Sequence, residues 1–385
     1  MSWLPYARHQ IDAADRSAVG AALDSAALTQ GPGVDRFESA LAETVGARYA
    51  VVFSNGTAAL HAAYAAAGVG PGASVLTSPI TFVATANAAM YLGGWVAFAD
   101  VDPTTALIDP NTVDDCDDRN VRVVVPVHFG GEVADLWSLA AIAEARRWIV
   151  IEDAAHALGG RYRTSDGGEF QVGACAHSAM CCFSFHPAKH ITTGEGGAVT
   201  TNDVALWRRL RRFRTHGITR DPEELEHSDG PWYYEQQELG FNYRLTDIQS
   251  ALGLSQLAKL DRWQGQRARV AGWYEQRLAH HPGIVPLGRP RWSRGAHHLF
   301  VVRVDPALRR TGYEALVAAG IGANVHYIPV YRQPFYQRAG FAATVRPGAE
   351  AYYGSALTLP LFPAMTEGDV DRVVATLSGA VGSRR

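Results

Sequence analysis

Two periodicities share the first 220 residues of the chain. Short apolar, β-branched runs alternate with alanine-rich stretches whose apolar positions recur at helical spacing. "RYAVVFS" (48–54), "ASVLTSP" (73–79) and "WVAFADVD" (95–102) read as strands. "TAALHAAYAAAG" (57–68), closed by a glycine cap, and "TFVATANAAMYLGG" (81–94) read as helices between them. The alternation continues through "VRVVVPVHFGG" (121–131), a helix over 135–147, "WIVIEDAAHALGG" (148–160) and "HSAMCCFSFHP" (177–187). A hairpin-like "GGAVTTND" (196–203) and a helix through "RRLRRFR" (208–214) follow. This order predicts an α/β fold: a mainly parallel central sheet with helices on both faces.

The pattern changes after about residue 220. "DPEELEHSDGPWYYEQQELGFNYRLTD" is polar and aromatic without periodicity, and a structureless stretch of that length reads as a functional loop. Residues 248–281 carry apolar positions at helical spacing and predict one long helix. Beyond 284, a strand in "HHLFVVRV", a helix then strand in "YEALVAAGIGANVHY" and a C-terminal helix predict a smaller α/β domain. The expected division is 1–247 for a large domain and 248–385 for the long helix and small domain. The length of 385 residues allows this.

Composition narrows the function classes. A chain that is 47% hydrophobic and 19% charged suits a soluble globular protein, and the net charge of −3 gives no case for nucleic acid or an acidic membrane surface. The "RRLRRFR" cluster reads as a solvated helix face. The N-terminus lacks the pattern of a signal peptide and no apolar run reaches membrane-spanning length, so the expected location is the cytoplasm. The four cysteines, Cys116, Cys175, Cys181 and Cys182, form no CxxC and read as small buried residues. Neither His280-His281 nor His297-His298 has convincing zinc-ligand spacing, so no metal is expected.

One detail of the charge count points to chemistry. Of 35 basic residues 33 are arginine; the two lysines are Lys189 and Lys259. Lys189 stands in "FSFHPAKHITTGEGGAV", followed by Thr192, Thr193, Gly194, Gly196 and Gly197 in a compact turn. An amine can form a Schiff base and a guanidinium cannot, so this position could not follow the arginine preference. Lys259 reads as a helix-surface residue. "FSNGTAAL" (53–60) supplies a strand, a tight turn and a helix N-terminus, where free N–H groups and the helix dipole suit a phosphate. Gly56 allows close approach and the Thr57 hydroxyl can donate. Asn55-Gly56-Thr57 is also a glycosylation sequon, set aside for want of a secretion signal. Asp153 falls at the carboxyl end of a buried strand, where it needs a cationic or proton-donating partner, and His156 would turn toward the same pocket. Ser184 ends another strand, five residues before the lysine. A phosphate cradle, an acid for a pyridine nitrogen and an amine for an imine are together the requirements of pyridoxal 5'-phosphate.

In "SNGTAAL", "TSPITFVATANA", "EDAAHALGG", "FSFHPAKHITTGEGGAVTTND", "GFNYRLTDIQSALGLSQL" and "VHYIPVY", nearly the whole chain resembles the DegT/StrS-type sugar aminotransferases. These are pyridoxal phosphate (PLP) enzymes of the aspartate-aminotransferase fold, or type I PLP-dependent transferase fold. Within the family the chain looks most like the pseudaminic acid branch. The resemblance implies that Lys189 carries the cofactor as a Schiff base and that Asp153 pairs with the pyridine nitrogen. It places His156 beside the ring hydroxyl, Phe82 on the ring face, and Gly56, Thr57 and Ser184 on the phosphate. Asn242 would reach the phosphate from a second subunit, making the active unit a homodimer with shared sites. Tyr6, Gly31, His326, Tyr327 and Tyr331 would face the substrate. The implied reaction takes the amino group of L-glutamate, through pyridoxamine 5'-phosphate, to C4 of a nucleotide-linked 4-keto-6-deoxy sugar, namely UDP-2-acetamido-2,6-dideoxy-L-arabino-hexos-4-ulose. A dTDP- or GDP-linked keto sugar, a cyclitol, and a non-catalytic regulator of the same fold are the alternatives. The glycine pattern "GVGPGA" (68–73) follows a helix rather than a strand and does not support a nicotinamide site.

Overall fold

The computed structural model describes residues 3–382. Its first half contains α1 (Ala13–Leu23), α2 (Pro32–Val45), β1 (Tyr49–Phe53), α3 (Gly56–Ala66), β2 (Ser74–Thr77), α4 (Ala84–Tyr91) and β3 (Trp95–Phe98). There follow α5 (Pro110–Asp114), β4 (Val121–Val125), α6 (Leu136–Arg146), β5 (Ile149–Asp153), β6 (Arg161–Arg163), β7 (Glu169–Gln171), β8 (Met180–Ser184), β9 (Gly197–Thr201) and α7 (Val204–Arg214). The second half contains β10 (Ile218–Thr219), β11 (Glu235–Gln236), α8 (Asp247–Leu257), α9 (Leu260–Leu278), β12 (Val285–Pro286), β13 (Ser293–Arg294) and β14 (Phe300–Arg303). It closes with α10 (Arg309–Ala318), the single turn α11 (Pro334–Tyr336), α12 (Pro347–Ser355), β15 (Ala356–Leu359) and α13 (Glu367–Val381).

Seven strands form the central sheet in the order β1-β9-β8-β5-β4-β2-β3. All neighbours are parallel except β9, which runs antiparallel to both β8 and β1. Two reversals restore direction, so β1 runs the same way as β5 and β8, and the carboxyl ends of these three strands share one edge. Alternation along each strand sorts side chains to two faces. Ala50, Val52, Cys181 and Phe183 pack with α2, whereas Val51, Phe53, Met180 and Cys182 pack with α3 and α7. Helix α3 lies close on the sheet because Ala58, Ala59, Ala62, Ala63 and Ala66 are its buried residues there. A smaller sheet, β12-β14-β15, is covered by α9, α10 and α13 around its own apolar cluster. The N-terminal segment joins that cluster through Leu4, whose N–H donates to Gly320 O (2.9 Å) and whose carbonyl accepts from Gly322 (2.7 Å).

Four expectations are corrected. The long helix over 248–281 is two helices, α8 and α9, broken at Ala258–Lys259. Lys259 at that break is no surface residue: its ammonium reaches Asp12 (2.9 Å) and Asp15 (2.7 Å), a site for a compact charge between two carboxylates. The arginine cluster is not wholly a solvated face. Arg208, Arg209 and Arg211 are exposed, but Arg214 is buried and pairs with Glu38, while donating to Val52 O at 2.9 Å. The strand expected after α10 forms only isolated bridges, Leu4 with Ile321 and Asn324 with Thr358. Cys175, Cys181 and Cys182 are buried and Cys116 is half-buried; all four are free thiols. Among the described residues, no helix is long and apolar enough to cross a membrane.

Candidate active site

The shared carboxyl edge of β1, β5 and β8 opens into a cavity of about 850 Å³. Ten of the residues singled out in the sequence line it: Gly56, Thr57, Phe82, Asp153, His156, Ser184 and Lys189, with Tyr6, His326 and Tyr327.

At the end of β1 the chain turns directly into α3. Asn55 caps the helix, its side chain accepting from the Ala58 N–H at 2.8 Å. The Gly56 and Thr57 N–H groups find no acceptor among the described residues. They are the free donors that an anion at a helix N-terminus uses. Two glycines permit the close packing. A Cβ on Gly56 would lie 2.9 Å from the Ser184 Cβ, and a Cβ on Gly197 would lie 2.6 Å from the Asn55 carbonyl oxygen. Ser184, at the end of β8, is thereby held against the α3 turn. The result is a concave group of backbone N–H and hydroxyl donors that fits a phosphate.

Asp153 ends β5 and is buried. Its Oδ2 accepts from the Thr85 hydroxyl at 2.7 Å and its Oδ1 from the Ala155 N–H at 3.1 Å. The Thr81 and Thr85 hydroxyls are 2.7 Å apart, extending the chain of donors. Lys189 sits in the turn after β8. Its N–H donates to His186 O (2.8 Å), and the threonines knit the rest: Thr192 Oγ1 donates to Phe185 O at 3.0 Å, Thr193 Oγ1 to Glu195 O at 2.7 Å. Burial pushes the Lys189 amine down to about 8, against the opposing pull of the Asp153 charge. An amine so shifted is available in its neutral, nucleophilic form.

The remaining wall is aromatic. The exposed ring of Phe82 lies 6.3 Å from Tyr327 and lines the cavity. His156 lies 4.4 Å from His298, ring to ring, and is held well below the usual histidine range, first by burial and then by the charge of Lys189. His326, pushed down to about 3 by burial and Lys189, bonds Thr358 through Nδ1 at 2.9 Å. The Leu361 N–H donates to Tyr6 O (3.0 Å), which ties Tyr6, a lining residue of the cavity, to the chain just after β15.

Three singled-out residues do not line this cavity. Gly31 caps α2 and its N–H donates to Asp247 Oδ2 at 2.8 Å. Tyr331 is buried beside Phe98, with its hydroxyl donating to Glu350 at 2.8 Å. Asn242 is exposed and bridged to Thr215. Sequence reasoning missed Thr85, His298, Asn324 and Tyr243, all of which line the cavity. Thr85 stands one helical turn after Phe82, a spacing that signals a shared face. His298 carried no signal beyond its type, and its Nδ1 is buried without a partner among the described residues. No cluster of three or more His, Cys, Asp or Glu residues suited to a metal occurs among the described residues.

An anion cradle, a buried carboxylate and a lysine of lowered basicity around one cavity fit PLP on this chain's own geometry. The comparisons agree. A model of the DegT/DnrJ/EryC1/StrS aminotransferase family matches residues 9–378. The spore coat polysaccharide biosynthesis protein SpsC of Bacillus subtilis (strain 168) is 37% identical over 385 residues, spanning 98% of this chain and 97% of SpsC. The structure is similar to Helicobacter pylori PseC, an aminotransferase involved in pseudaminic acid biosynthesis, with a TM-score of 0.91 and 30% identity over 100% of both chains. It is also similar to Spr1654 of Streptococcus pneumoniae in its PLP form, with a TM-score of 0.90 and 25% identity over 99% of each chain. The PMP form of that protein gives 0.91 at 25% identity, over 98% of this chain and 99% of that one. The chain belongs to the DegT/DnrJ/EryC1/StrS aminotransferase family, whose members are PLP-dependent enzymes.

Proposed function

We propose that the protein transfers the amino group of L-glutamate to C4 of a nucleotide-linked 4-keto-6-deoxy sugar, with UDP-2-acetamido-2,6-dideoxy-L-arabino-hexos-4-ulose as acceptor. The observation that carries the reading is the convergence of Lys189, Asp153 and the α3 N-terminus on one cavity. The acceptor is chosen on the likeness to PseC over the full length of both chains.

When bound, PLP supplies an aldehyde that captures amines and a ring that accepts electrons from the carbon being deprotonated. The Gly56 and Thr57 N–H groups, with the Thr57 and Ser184 hydroxyls, would hold its phosphate, and Asn242 of a second copy would complete that site in a homodimer. Asp153, fixed by Thr85 and Ala155, keeps a proton on the ring nitrogen. Lys189 would hold the cofactor through its amine and would serve as the general base and acid of the proton transfer. Burial lowers its basicity, which favours the neutral amine that this role needs. Phe82 covers one ring face. Tyr6, His326 and Tyr327 contact the sugar.

The test is product analysis by mass spectrometry with L-glutamate and UDP-, dTDP- and GDP-linked 4-keto-6-deoxy sugars in turn. Amination of the UDP sugar, abolished by Lys189→Ala and Lys189→Arg, is the expected result. Amination of a dTDP or GDP sugar instead would overturn the acceptor. Turnover by the lysine variants would overturn the mechanism.

A further inference from the structure

The turn that carries Lys189 is held from outside the cavity by α8 and α9. Gln249 Nε2 donates to Glu195 O at 2.7 Å, and Gln256 Oε1 accepts from the Thr192 N–H at 3.3 Å. Arg267 Nη2 donates to the carbonyl of Lys189 itself at 3.5 Å. Gln249 and Gln256 lie on α8 and Arg267 on α9, so residues on both sides of the break at Ala258–Lys259 reach one turn. Arg267 also holds two further segments. Its Nη1 donates to Leu361 O at 3.2 Å, and to His297 O and His298 O at 3.5 Å each. His190, the residue after the lysine, ties the same segments again, its Nε2–H donating to Ala296 O at 3.0 Å. One guanidinium therefore joins the lysine turn, the segment that brings His298 to the cavity, and the segment that holds Tyr6.

The residue type is informative. Arg267 is buried, its four acceptors are all carbonyls, and no carboxylate pairs with it among the described residues. Its Nε has no partner among them. A buried guanidinium without an anion costs stability, and an apolar side chain could fill the same volume without that penalty. What the guanidinium alone offers is a flat fork of N–H donors that reaches the carbonyls of several segments at once.

We propose that Arg267 is a positioning residue for Lys189: it fixes the backbone from which the amine reaches the cavity, without itself touching cofactor or substrate. The inference rests on the transaminase reading above. Arg267 does not line the large cavity, and the phosphate cradle is built separately, by the α3 turn against Ser184. Loss of the fork should therefore fall on the chemistry of the lysine and spare the binding of the phosphate.

The experiment compares wild type, Arg267→Met and Arg267→Lys. Methionine removes the donors and leaves an apolar filling; lysine keeps the charge and loses the fork. Three quantities are read: the affinity of apo-protein for pyridoxamine 5'-phosphate, which has no bond to Lys189; the rate at which apo-protein captures PLP; and the rate of the L-glutamate half-reaction. The proposal predicts an affinity for pyridoxamine 5'-phosphate within about twofold of wild type in both variants. PLP capture and the half-reaction should slow about tenfold to hundredfold, the scale of a misplacement of about 1 Å. Arg267→Lys carries the comparison alone if Arg267→Met does not fold. Parallel losses of pyridoxamine 5'-phosphate affinity and PLP capture would overturn the proposal, because they would mean a general loosening of the site. Both rates within about twofold of wild type would overturn it as well. So would full activity in Arg267→Lys, which would make the buried charge, and not the fork, the feature that matters. A wild type that captures no PLP, or whose band glutamate leaves unbleached, would instead overturn the transaminase reading.

Discussion

The Thr85 hydroxyl donates to Asp153 Oδ2 at 2.7 Å. It is the side-chain hydrogen bond that orients this carboxylate; the other donor is the Ala155 N–H at 3.1 Å. Thr85→Val keeps the shape and removes the donor. It should weaken PLP binding about tenfold, the scale of one hydrogen bond to a charged group. Asp153→Asn removes the charge itself and should lower kcat/KM about 10²–10³-fold, as loss of a preorganised electrostatic contact does. Cofactor titration and steady-state kinetics read both. Equal affinity in Thr85→Val would show that the threonine does not orient the acid.

Lys189 has its proton affinity pushed down to about 8 by burial. The neutral amine captures the cofactor, so the rate at which apo-protein takes up PLP should rise with pH through about 8 and flatten above it. A profile still climbing toward the ordinary lysine value of about 10.4 would contradict this. The same shift has a stability consequence of fixed sign. Between about 8 and that ordinary value the unfolded chain holds a proton that the folded one has shed. Apo-protein stability should therefore gain from Lys189 as pH rises through that window. Lys189→Met should lack that gain in denaturant unfolding followed across pH.

Gly56 is a tight point of the proposed phosphate cradle, with Ser184 Cβ 2.9 Å from where its own Cβ would stand. Gly56→Ala must push β8 and α3 apart. Overpacking of this kind costs about 1–3 kcal/mol. PLP titration should show weaker binding, and thermal unfolding of the apo-protein a lower midpoint.

The buried Arg214–Glu38 pair ties α7 to α2, with Glu38 also accepting from the Val52 N–H at 2.9 Å. Arg214→Met strands a carboxylate and should destabilise the fold by about 3–5 kcal/mol in denaturant unfolding. Adding Glu38→Gln should recover part of the loss. An unchanged midpoint in the single variant would remove the pair from the account of stability.

Local patterns carried much of the fold. The alternation of Val51 and Phe53 against Ala50 and Val52 marks β1 as buried on both faces, and the alanines of α3 mark a helix pressed on a sheet. Asp153, Ser184 and Gly56 were legible as neighbours because each lies at or just beyond the carboxyl end of a strand, and those ends share one edge because β9 runs antiparallel to both β1 and β8. Interactions that depend on partners distant in sequence were not legible. No glycine or proline marks the break at Ala258–Lys259, where Lys259 turns to carboxylates some 240 residues earlier. Arg214 looked like its solvated neighbours because helical spacing does not reveal that Glu38 waits beneath it. Tyr331 stood in the same short motif as His326 and Tyr327, yet its backbone leads it to Glu350 and away from the cavity.

The most direct test of the central claim is a visible spectrum of the PLP-loaded protein before and after L-glutamate, and again after the UDP-linked 4-keto sugar. The account predicts a band that depends on Lys189, bleaches with glutamate and returns with the sugar. A protein with no such band after PLP is supplied, or one whose band glutamate leaves untouched, would contradict it.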